Sequence, residues 1–180
     1  MSLQSQQDAL LQWKSTLQCS PALDSWRRGT SPCTSNWTGV ACGVMHHGRH
    51  ASLVVTNISL PKAGIDGRLG ELNFSALPFL THIDLSYNSL RGKIPQAIAS
   101  FLPVLSYLDL SNNWLHGQVP SGIGNMRLLR TLILDYNNLT GPIPASLGNL
   151  TALVVLSLEQ NMVTGPIPED LGKLINLEAC

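Results

Sequence analysis

Aliphatic residues, leucine above all, recur in a fixed pattern every 24 or 25 residues between residues 80 and 176. The clearest copy begins at Leu129 and reads Leu-x-x-Leu-x-Leu-x-x-Asn-x-Leu-x-Gly-x-Ile-Pro. Equivalent copies begin at Leu80, Leu105 and Leu153. A fixed period of this length indicates a repeat protein in which each copy forms one coil of a solenoid.

The Leu-x-Leu part of each copy predicts a short strand, because alternation places both leucines on one face and the intervening residue on the other. Each coil can bury its leucines only against the coils above and below it, so one copy alone would not be stable. The Gly-x-Ile-Pro part reverses the chain, since glycine tolerates a tight backbone and proline fixes the next φ. The pattern predicts an α/β fold: a right-handed solenoid with parallel strands on a concave face, short 3-10 helical segments on a convex face and a helical cap at the N terminus.

One polar position is as regular as the leucines. An asparagine ends each predicted strand, where the backbone bends and cannot pair within a sheet. Because an amide both donates and accepts, a stacked column of these side chains can satisfy the buried backbone groups from coil to coil. The predicted column consists of Asn88, Asn113, Asn137 and Asn161.

An amphipathic helix is predicted from Ser5 to Leu17, with Ser5 as its N-cap and Asp8 three residues later. Its apolar stripe contains Ala9, Leu10, Trp13 and Leu17. Because the end of a solenoid is apolar, we expect this helix to cover the first coil. The predicted domains are a cap over residues 5–50 and repeats over residues 51–180, about five coils and the start of a sixth.

The first and last coils depart from the pattern. In the first coil, Ala63 takes the asparagine position, and Gly70 stands where Pro95 stands in the next coil. Terminal repeats are commonly atypical because they meet a cap. At the other end, Cys180 takes a leucine position and no polar cap follows. We therefore expect a truncated chain with a partly bare last coil, which would be marginally stable or would self-associate.

Composition excludes several functions. The formal net charge is zero and only 12% of the residues are charged, about half of the usual share of roughly 25%. Such a chain offers no basic surface for nucleic acid. The uncharged stretch between Asp135 and Glu159 is interrupted by glycine, proline and asparagine, which argues against a membrane span. No signal peptide is visible in residues 1–8, so we expect either that the start has been trimmed or that the gene model is incomplete.

The cap residues resemble a known family. The chain contains Ala-Leu-Leu-Gln-Trp-Lys ending at Lys14, then Leu-Asp-Ser-Trp ending at Trp26, then Cys33 followed by Trp-Thr-Gly-Val-Ala-Cys ending at Cys42. These motifs resemble the N-terminal cap of plant leucine-rich-repeat receptor kinases and receptor-like proteins. The Gly-x-Ile-Pro form of the repeat is also the plant-specific one in that family.

The resemblance implies an extracellular, non-catalytic recognition module. In that family such ectodomains bind peptide, steroid or polysaccharide-derived ligands, pair with a smaller leucine-rich-repeat co-receptor, and precede a membrane span and a cytoplasmic Ser/Thr kinase. No kinase motif occurs in this chain, so both the kinase and the membrane span would lie outside it. Two alternatives are a secreted inhibitor similar to the polygalacturonase-inhibiting proteins and an intracellular repeat scaffold, which the missing signal peptide would favour.

The resemblance also implies a disulfide between Cys33 and Cys42. A zinc site is the alternative, because Cys42 is close in sequence to His46, His47 and His50. Residues 43–49 are predicted to be a solvated loop between the cap and the first strand. Cys19 has no evident partner and is interpreted as a free thiol.

Several sequons for N-linked glycosylation support the extracellular interpretation. Asn138 follows the asparagine column and should point outward, while Asn149 should lie on the helical wall, where a glycan would leave the strand face clear. The sequons begin at Asn36, Asn57, Asn73, Asn138 and Asn149.

The concave face is the predicted ligand site. Residues between the leucines form a grid, in which Asp84 with Asp109 and Asp135 with Glu159 should be neighbours about 4.8 Å apart. Like charges bordered by tyrosine rings suggest a cationic or hydroxyl-rich extended peptide as ligand, although Leu-Asp-Leu-Ser is also a common filling of these positions. The candidate binding residues are His82, Asp84, Tyr87, Tyr107, Asp109, Asn112, Asp135, Tyr136, Glu159 and Gln160.

No catalytic set is predicted. His82, Asp84 and Ser86 share one wall, but an open strand offers no pocket, no oxyanion donors and no exclusion of water. The sequence contains no phosphate-binding loop, and we expect neither a cofactor nor a metal.

Overall fold

The computed structural model describes residues 2–18, 20–48 and 50–178. The predictions for Cys19 and Cys180 therefore lie outside the described residues, as does the Arg49 end of the predicted loop.

The N-terminal helix α1 spans Leu3–Thr16 and begins earlier than predicted. Its N-cap is Ser2, whose hydroxyl oxygen accepts a hydrogen bond from the Ser5 backbone N–H at 3.2 Å. The prediction of Ser5 as N-cap was wrong, because its N–H belongs to the first turn and is itself the group being capped.

Helix α1 covers the open end of the first coil. Leu10 and Trp13 are fully buried. Gln6 is also buried, and its Oε1 accepts a hydrogen bond from the Val55 N–H at 2.7 Å. The indole N–H of Trp13 donates to the carbonyl oxygen of Arg68 at 3.2 Å. The helix thus supplies both apolar contacts and hydrogen-bond partners to a coil that has no preceding repeat.

Three tryptophans form the centre of the cap. The rings of Trp26 and Trp37 stack with centroids 5.4 Å apart, and Trp13 lies against Trp26 at 6.5 Å. The predicted disulfide between Cys33 and Cys42 is confirmed, with the two Cα atoms 5.5 Å apart. Cys42 is therefore not free to be a zinc ligand, which removes the basis of the zinc alternative.

Eleven strands lie within the described residues: β1 includes Cys42 of the cap disulfide, and each of the five coils contributes two. In chain order they are β1 (Val40–His47), β2 (His50–Ser59), β3 (Asp66–Arg68), β4 (His82–Asp84), β5 (Ser89–Gly92), β6 (Tyr107–Asp109), β7 (Trp114–Gly117), β8 (Thr131–Ile133), β9 (Asn138–Gly141), β10 (Val155–Ser157) and β11 (Met162–Val163).

Strand β1 occupies most of the segment that was predicted to be a loop. It pairs antiparallel with β2, with Gly43 opposite Val54 and Val44 opposite Leu53. The loop prediction for residues 43–47 was wrong. This segment has no alternation of apolar and polar residues, but β2 supplies the hydrogen-bond partners for its backbone. Val44 and Leu53 are both exposed, so the face of the hairpin that they share is not buried.

The strands form two sheets. The first has the order β1-β2-β4-β6-β8-β10, and from β2 onward neighbouring strands are parallel, as the repeat predicts. The second contains β3, β5, β7, β9 and β11 and lies after the asparagine position of each coil. This second parallel sheet was not predicted. The stretch between the column asparagine and Gly-x-Ile-Pro therefore forms a second wall of strands and does not only reverse the chain.

Short helical segments form the remaining wall, as predicted. They are Leu69–Glu71, Phe74–Ala76, the α-helix α2 (Ala97–Phe101), Ser121–Asn125, Ala145–Asn149 and Glu169–Lys173. The coils approach closely here: a Cβ at Gly124 would lie 2.2 Å from the carbonyl oxygen of Ser146, and one at Gly148 would lie 2.3 Å from that of Asp170. These glycines are therefore needed for close packing between coils.

The four column asparagines connect successive coils through their side chains. Asn113 is the second of them. Its Nδ2 donates hydrogen bonds to the carbonyl oxygens of Leu110 and Ser111 in its own coil and of Leu85 in the preceding coil. Its Oδ1 accepts from the Leu90 N–H at 2.9 Å. Asn88, Asn137 and Asn161 repeat this set of bonds.

Candidate functional site

The outward face of the first sheet carries two aligned columns of side chains. In each three-residue strand the middle residue points into the core, as Ile83 and Leu108 do, and the flanking residues point outward. The column that starts at His82 continues through Tyr107, Thr131 and Val155, and the column that starts at Asp84 continues through Asp109, Ile133 and Ser157.

His82 and Tyr107 form a stacked aromatic pair on this face. Their ring centroids are 4.2 Å apart and the planes are inclined by 13°. Burial raises the pKa of Tyr107 above its ordinary value, and the negative charges of Asp109 and Asp84 raise it further. A side-chain hydrogen bond with Asp109 raises this pKa as well, so the phenol stays protonated and its single O–H is directed at that carboxylate.

Asp84 and Asp109 are register partners, but their environments differ. The Oδ1 of Asp84 accepts hydrogen bonds from the backbone N–H and the hydroxyl of Ser86, and this side chain is half-buried. Asp109 is only 9% exposed, and its Oδ1 accepts from the Ser111 N–H. Burial raises the pKa of Asp109, the hydrogen bonds from Ser111 lower it, and the nearby charges of Asp84 and Asp135 raise it. Of the two carboxylates, Asp84 is the one more accessible to a ligand.

The second predicted acidic pair has a different arrangement. Asp135 lies beyond the end of β8, and its Oδ1 accepts a hydrogen bond from the Glu159 backbone N–H at 2.9 Å. Asp135 therefore ties its coil to the next one, while the Glu159 side chain is exposed.

A rim runs along the edge of the sheet just before the asparagine column. Tyr87, Asn112, Tyr136 and Gln160 all have φ between 50° and 55°, a left-handed backbone that is uncommon for residues other than glycine. Lys62 has the same conformation in the first coil, and its Nζ lies 4.9 Å from the centre of the Tyr87 ring. Lys62 was not among the predicted site residues, and its only signal in the sequence is its place three residues before Ile65 in the degenerate first copy.

His82, Asp84 and Ser86 do not form a catalytic arrangement. The Ser86 hydroxyl donates to Asp84, and His82 is stacked on Tyr107 instead of facing the serine. Within residues 2–18, 20–48 and 50–178, no group of three or more His, Cys, Asp or Glu side chains is arranged to hold a metal ion.

The sequons differ in their accessibility. Asn36, Asn73, Asn138 and Asn149 are exposed. Asn57 is half-buried in β2, between Ala41 of β1 and His82 of β4. A glycan on Asn57 would crowd the aromatic pair, whereas glycans on the other four sites would lie elsewhere on the surface.

In the part of the chain that the structure describes, no helix has both the length and the apolar character needed to span a membrane.

Comparison with protein families gives two matches. Residues 3–43 match the leucine rich repeat N-terminal domain. Residues 79–101, 104–126, 128–150 and 152–174 each match the leucine rich repeat. No curated protein sequence matches the chain significantly.

Solved structures of plant receptor ectodomains are similar to this chain. The BIR2 ectodomain from Arabidopsis thaliana has a TM-score of 0.80 and 30% identity over 91% of this chain and 84% of that one. A chain of the Arabidopsis thaliana BIR3–SERK2 complex has a TM-score of 0.78 and 34% identity over 95% of this chain and 90% of that one. The ectodomain of the Arabidopsis receptor kinase HAESA, in complex with an N-terminally extended IDA peptide hormone ligand, has a TM-score of 0.71 and 32% identity over 99% of this chain and 33% of that one.

Proposed function

This chain belongs to the leucine-rich-repeat family, and from that premise we propose that it is an extracellular recognition module of a plant receptor-like kinase or receptor-like protein. It binds an extended peptide on the open face of its first sheet and contributes to signalling at the cell surface. It performs no chemistry on the ligand itself.

The observation that carries the proposal is the stacked pair of His82 and Tyr107 beside the carboxylate of Asp84. Aromatic rings that are held in place by stacking offer apolar contact area at little entropic cost. A half-buried carboxylate next to them can accept hydrogen bonds from a charged or hydroxyl-bearing side chain. This combination on a flat strand wall suits an extended peptide better than a compact small molecule, which needs a closed pocket.

Two further features support an extracellular role. The disulfide between Cys33 and Cys42 is a kind of bond that persists in oxidising compartments and is rare in the cytosol, which disfavours the scaffold alternative. HAESA, to which the chain is similar, has been solved with a peptide hormone, and another HAESA structure contains the co-receptor SERK1 as well. We extend the proposal to a leucine-rich-repeat co-receptor as a second partner.

The experiment is a peptide-binding measurement on the disulfide-bonded protein. A library of extended peptides with basic and hydroxyl-bearing residues is screened, and the Kd of the best binder is measured for wild type and His82→Ala. The variant should bind about 10-fold more weakly, since truncation of a central aromatic contact costs about 1–2 kcal/mol. Asp84→Asn should weaken binding mainly at low salt.

His116→Ala is the matched control, because His116 is an exposed histidine on β7 of the second sheet. Its Kd should equal that of wild type. Equal affinity of wild type and His82→Ala, or a larger loss in His116→Ala, would contradict the proposed site.

A further inference from the structure

Trp114 is the exposed tryptophan of this protein. Of its side chain 63% is accessible, whereas Trp13, Trp26 and Trp37 are at most 2% exposed. It begins β7 in the second sheet, directly after the column residue Asn113. It does not stand alone, because Tyr136 is 53% exposed and lines one recess with it, and exposed apolar side chains that lie together mark interaction sites.

A shallow recess of about 410 Å³ lies beside Trp114. Its walls include Tyr136, which belongs to the rim, and Asn138, which is the first residue of β9. In the parallel pairing of β7 with β9, Asn138 lies opposite His116, so Trp114 is its diagonal neighbour, two residues earlier on the same exposed face of β7. The apolar ring and the asparagine amide therefore share one recess.

Asn138 is also the acceptor residue of a sequon. In β9 the side chains alternate, so that Asn138 and Thr140 are exposed while Leu139 between them is fully buried. The residues that define the sequon thus point to solvent together. The buried leucine fixes their direction.

We propose that Asn138 carries an N-linked glycan whose first N-acetylglucosamine packs against the ring of Trp114. The glycan comes from a lipid-linked pyrophosphate oligosaccharide in the secretory pathway. The amide nitrogen of Asn138 forms a bond to C1 of the sugar, the bond from C1 to the pyrophosphate oxygen breaks, the lipid pyrophosphate leaves, and the amide gives up one proton to a base of the transferase. The inference rests on the proposed extracellular function.

The packing has a simple physical reason. One face of a pyranose ring presents C–H groups, and the face of an indole is apolar and electron-rich. A sugar held at Asn138 is already in the recess, so little further entropy is lost when it settles on Trp114. The contact removes apolar indole surface from water, which stabilises the folded protein.

Asn149 provides a contrast within the same chain. It ends the 3-10 segment Ala145–Asn149, and the equivalent positions in the adjacent coils are Asn125 and Lys173. No aromatic residue occupies those positions, so a glycan there would have no comparable platform. A glycan on Asn138 would also border the rim at Tyr136 and leave the pair of His82 and Tyr107 open.

The test uses the full chain expressed through the secretory pathway of a host that makes high-mannose glycans. Mass spectrometry of peptides measures occupancy at Asn138 and Asn149. Acrylamide quenching of tryptophan fluorescence then reports on Trp114, since the other three tryptophans are buried. Three forms are compared: the intact glycoprotein, protein trimmed to one N-acetylglucosamine, and protein freed of glycan by an amidase.

The intact and trimmed forms should show about half of the quenching seen after complete removal, because a stacked sugar covers one of the two ring faces. In Asn138→Gln, which keeps the glycan on Asn149, the amidase should change nothing. Trp114→Ser keeps the fold, since Ser89 has this position in the preceding coil, and the rise in Tm that the glycan gives the wild type should be absent from it.

An unmodified Asn138 in the secreted protein would overturn the inference, whether or not Asn149 is modified. So would full occupancy with identical quenching in all three forms. Neither result bears on peptide binding by the first sheet, which the variants at His82 and His116 test separately.

Discussion

Replacing Asn113 with alanine should strongly destabilise the solenoid, although the side chain touches no ligand. The change removes four hydrogen bonds in one step. Three run from Nδ2 to the carbonyl oxygens of Leu85, Leu110 and Ser111, at 3.0–3.1 Å. The fourth runs from the N–H of Leu90 to Oδ1 at 2.9 Å.

The four losses are not equal. Each of the three carbonyl oxygens has a second donor, namely Asn88 Nδ2 for Leu85, Asn137 Nδ2 for Leu110 and the Tyr87 N–H for Ser111. Leu90 is fully buried, and its N–H has Asn113 as its partner. An orphaned buried N–H costs about 1–3 kcal/mol and each of the three shared bonds about 0.5–1 kcal/mol, so the free energy of unfolding should fall by about 2.5–6 kcal/mol.

Urea unfolding of the oxidised protein, followed by circular dichroism, measures this loss. Asn138→Ala in protein made without glycans is the matched control, since Asn138 is an exposed asparagine one residue after the column. The free energy of unfolding of this control variant should lie within about 0.5 kcal/mol of the wild-type value. If Asn113→Ala were no more destabilised than Asn138→Ala, the asparagine column would not be what satisfies the buried backbone.

Three further predictions concern stability. Burial raises the pKa of Asp109 in the folded protein, so the folded state binds the carboxyl proton more tightly than the unfolded state does. The stabilisation that comes from this proton is therefore present at low pH and is lost as the pH rises from the unfolded-state pKa of about 3.9 through the raised native value. Asp109→Asn should therefore gain stability relative to wild type as the pH rises through that window in urea titrations, and a constant difference would contradict this. Changing both Cys33 and Cys42 to serine should cost about 2–3 kcal/mol in urea unfolding, because the bridge closes a short loop, and an unchanged midpoint would count against it. Gly148→Ala should lower the Tm because its Cβ would meet a backbone oxygen at 2.3 Å, whereas Gly172→Ala, with nothing within 4 Å, should not; equal Tm values would refute the close-packing argument.

The architecture of the first sheet could be predicted because its cause is local and repeated. A leucine at every second position of a strand faces the core, and one missing or extra residue would turn it to solvent. The period therefore fixed the register, and His82 aligns with Tyr107 and Thr131 as predicted.

The second sheet could not be predicted from the same pattern. Its strands have two to four residues, and they pair only because neighbouring coils bring them together. The left-handed backbone at Tyr87 and Tyr136 was equally hidden, since tyrosine has no preference for it. The stacking of coils imposes this conformation where the column asparagine turns inward.

In the cap, two segments depended on tertiary contacts. Ser2 and Ser5 are both plausible N-caps by residue type, and the choice follows from the docking of Gln6 onto the Val55 N–H. Strand β1 forms because β2 offers it a partner. Neither contact produces a periodic pattern in the sequence from which it could be predicted.

The repeat pattern predicted which candidate side chains align across the first sheet but not the surroundings of each one. Asp84 and Asp109 are register partners as expected, but Asp109 is buried and Asp84 is half-buried, a difference that the repeat pattern did not predict. Asp135 and Glu159 were expected to be neighbouring like charges, and the pattern did not predict that the Asp135 carboxylate accepts a hydrogen bond from the Glu159 backbone N–H. Such differences depend on side-chain rotation, which the repeat pattern does not encode.

Chemical-shift mapping by NMR tests the central proposal most directly, because a 180-residue chain is within reach of the method. A selected peptide is titrated into labelled, disulfide-bonded protein, and the perturbed residues are assigned. The account predicts that the largest changes fall on β4 and β6, at His82, Asp84 and Tyr107. Largest changes on β5 and β7 of the second sheet, or on the helical segments of the convex wall, would contradict it.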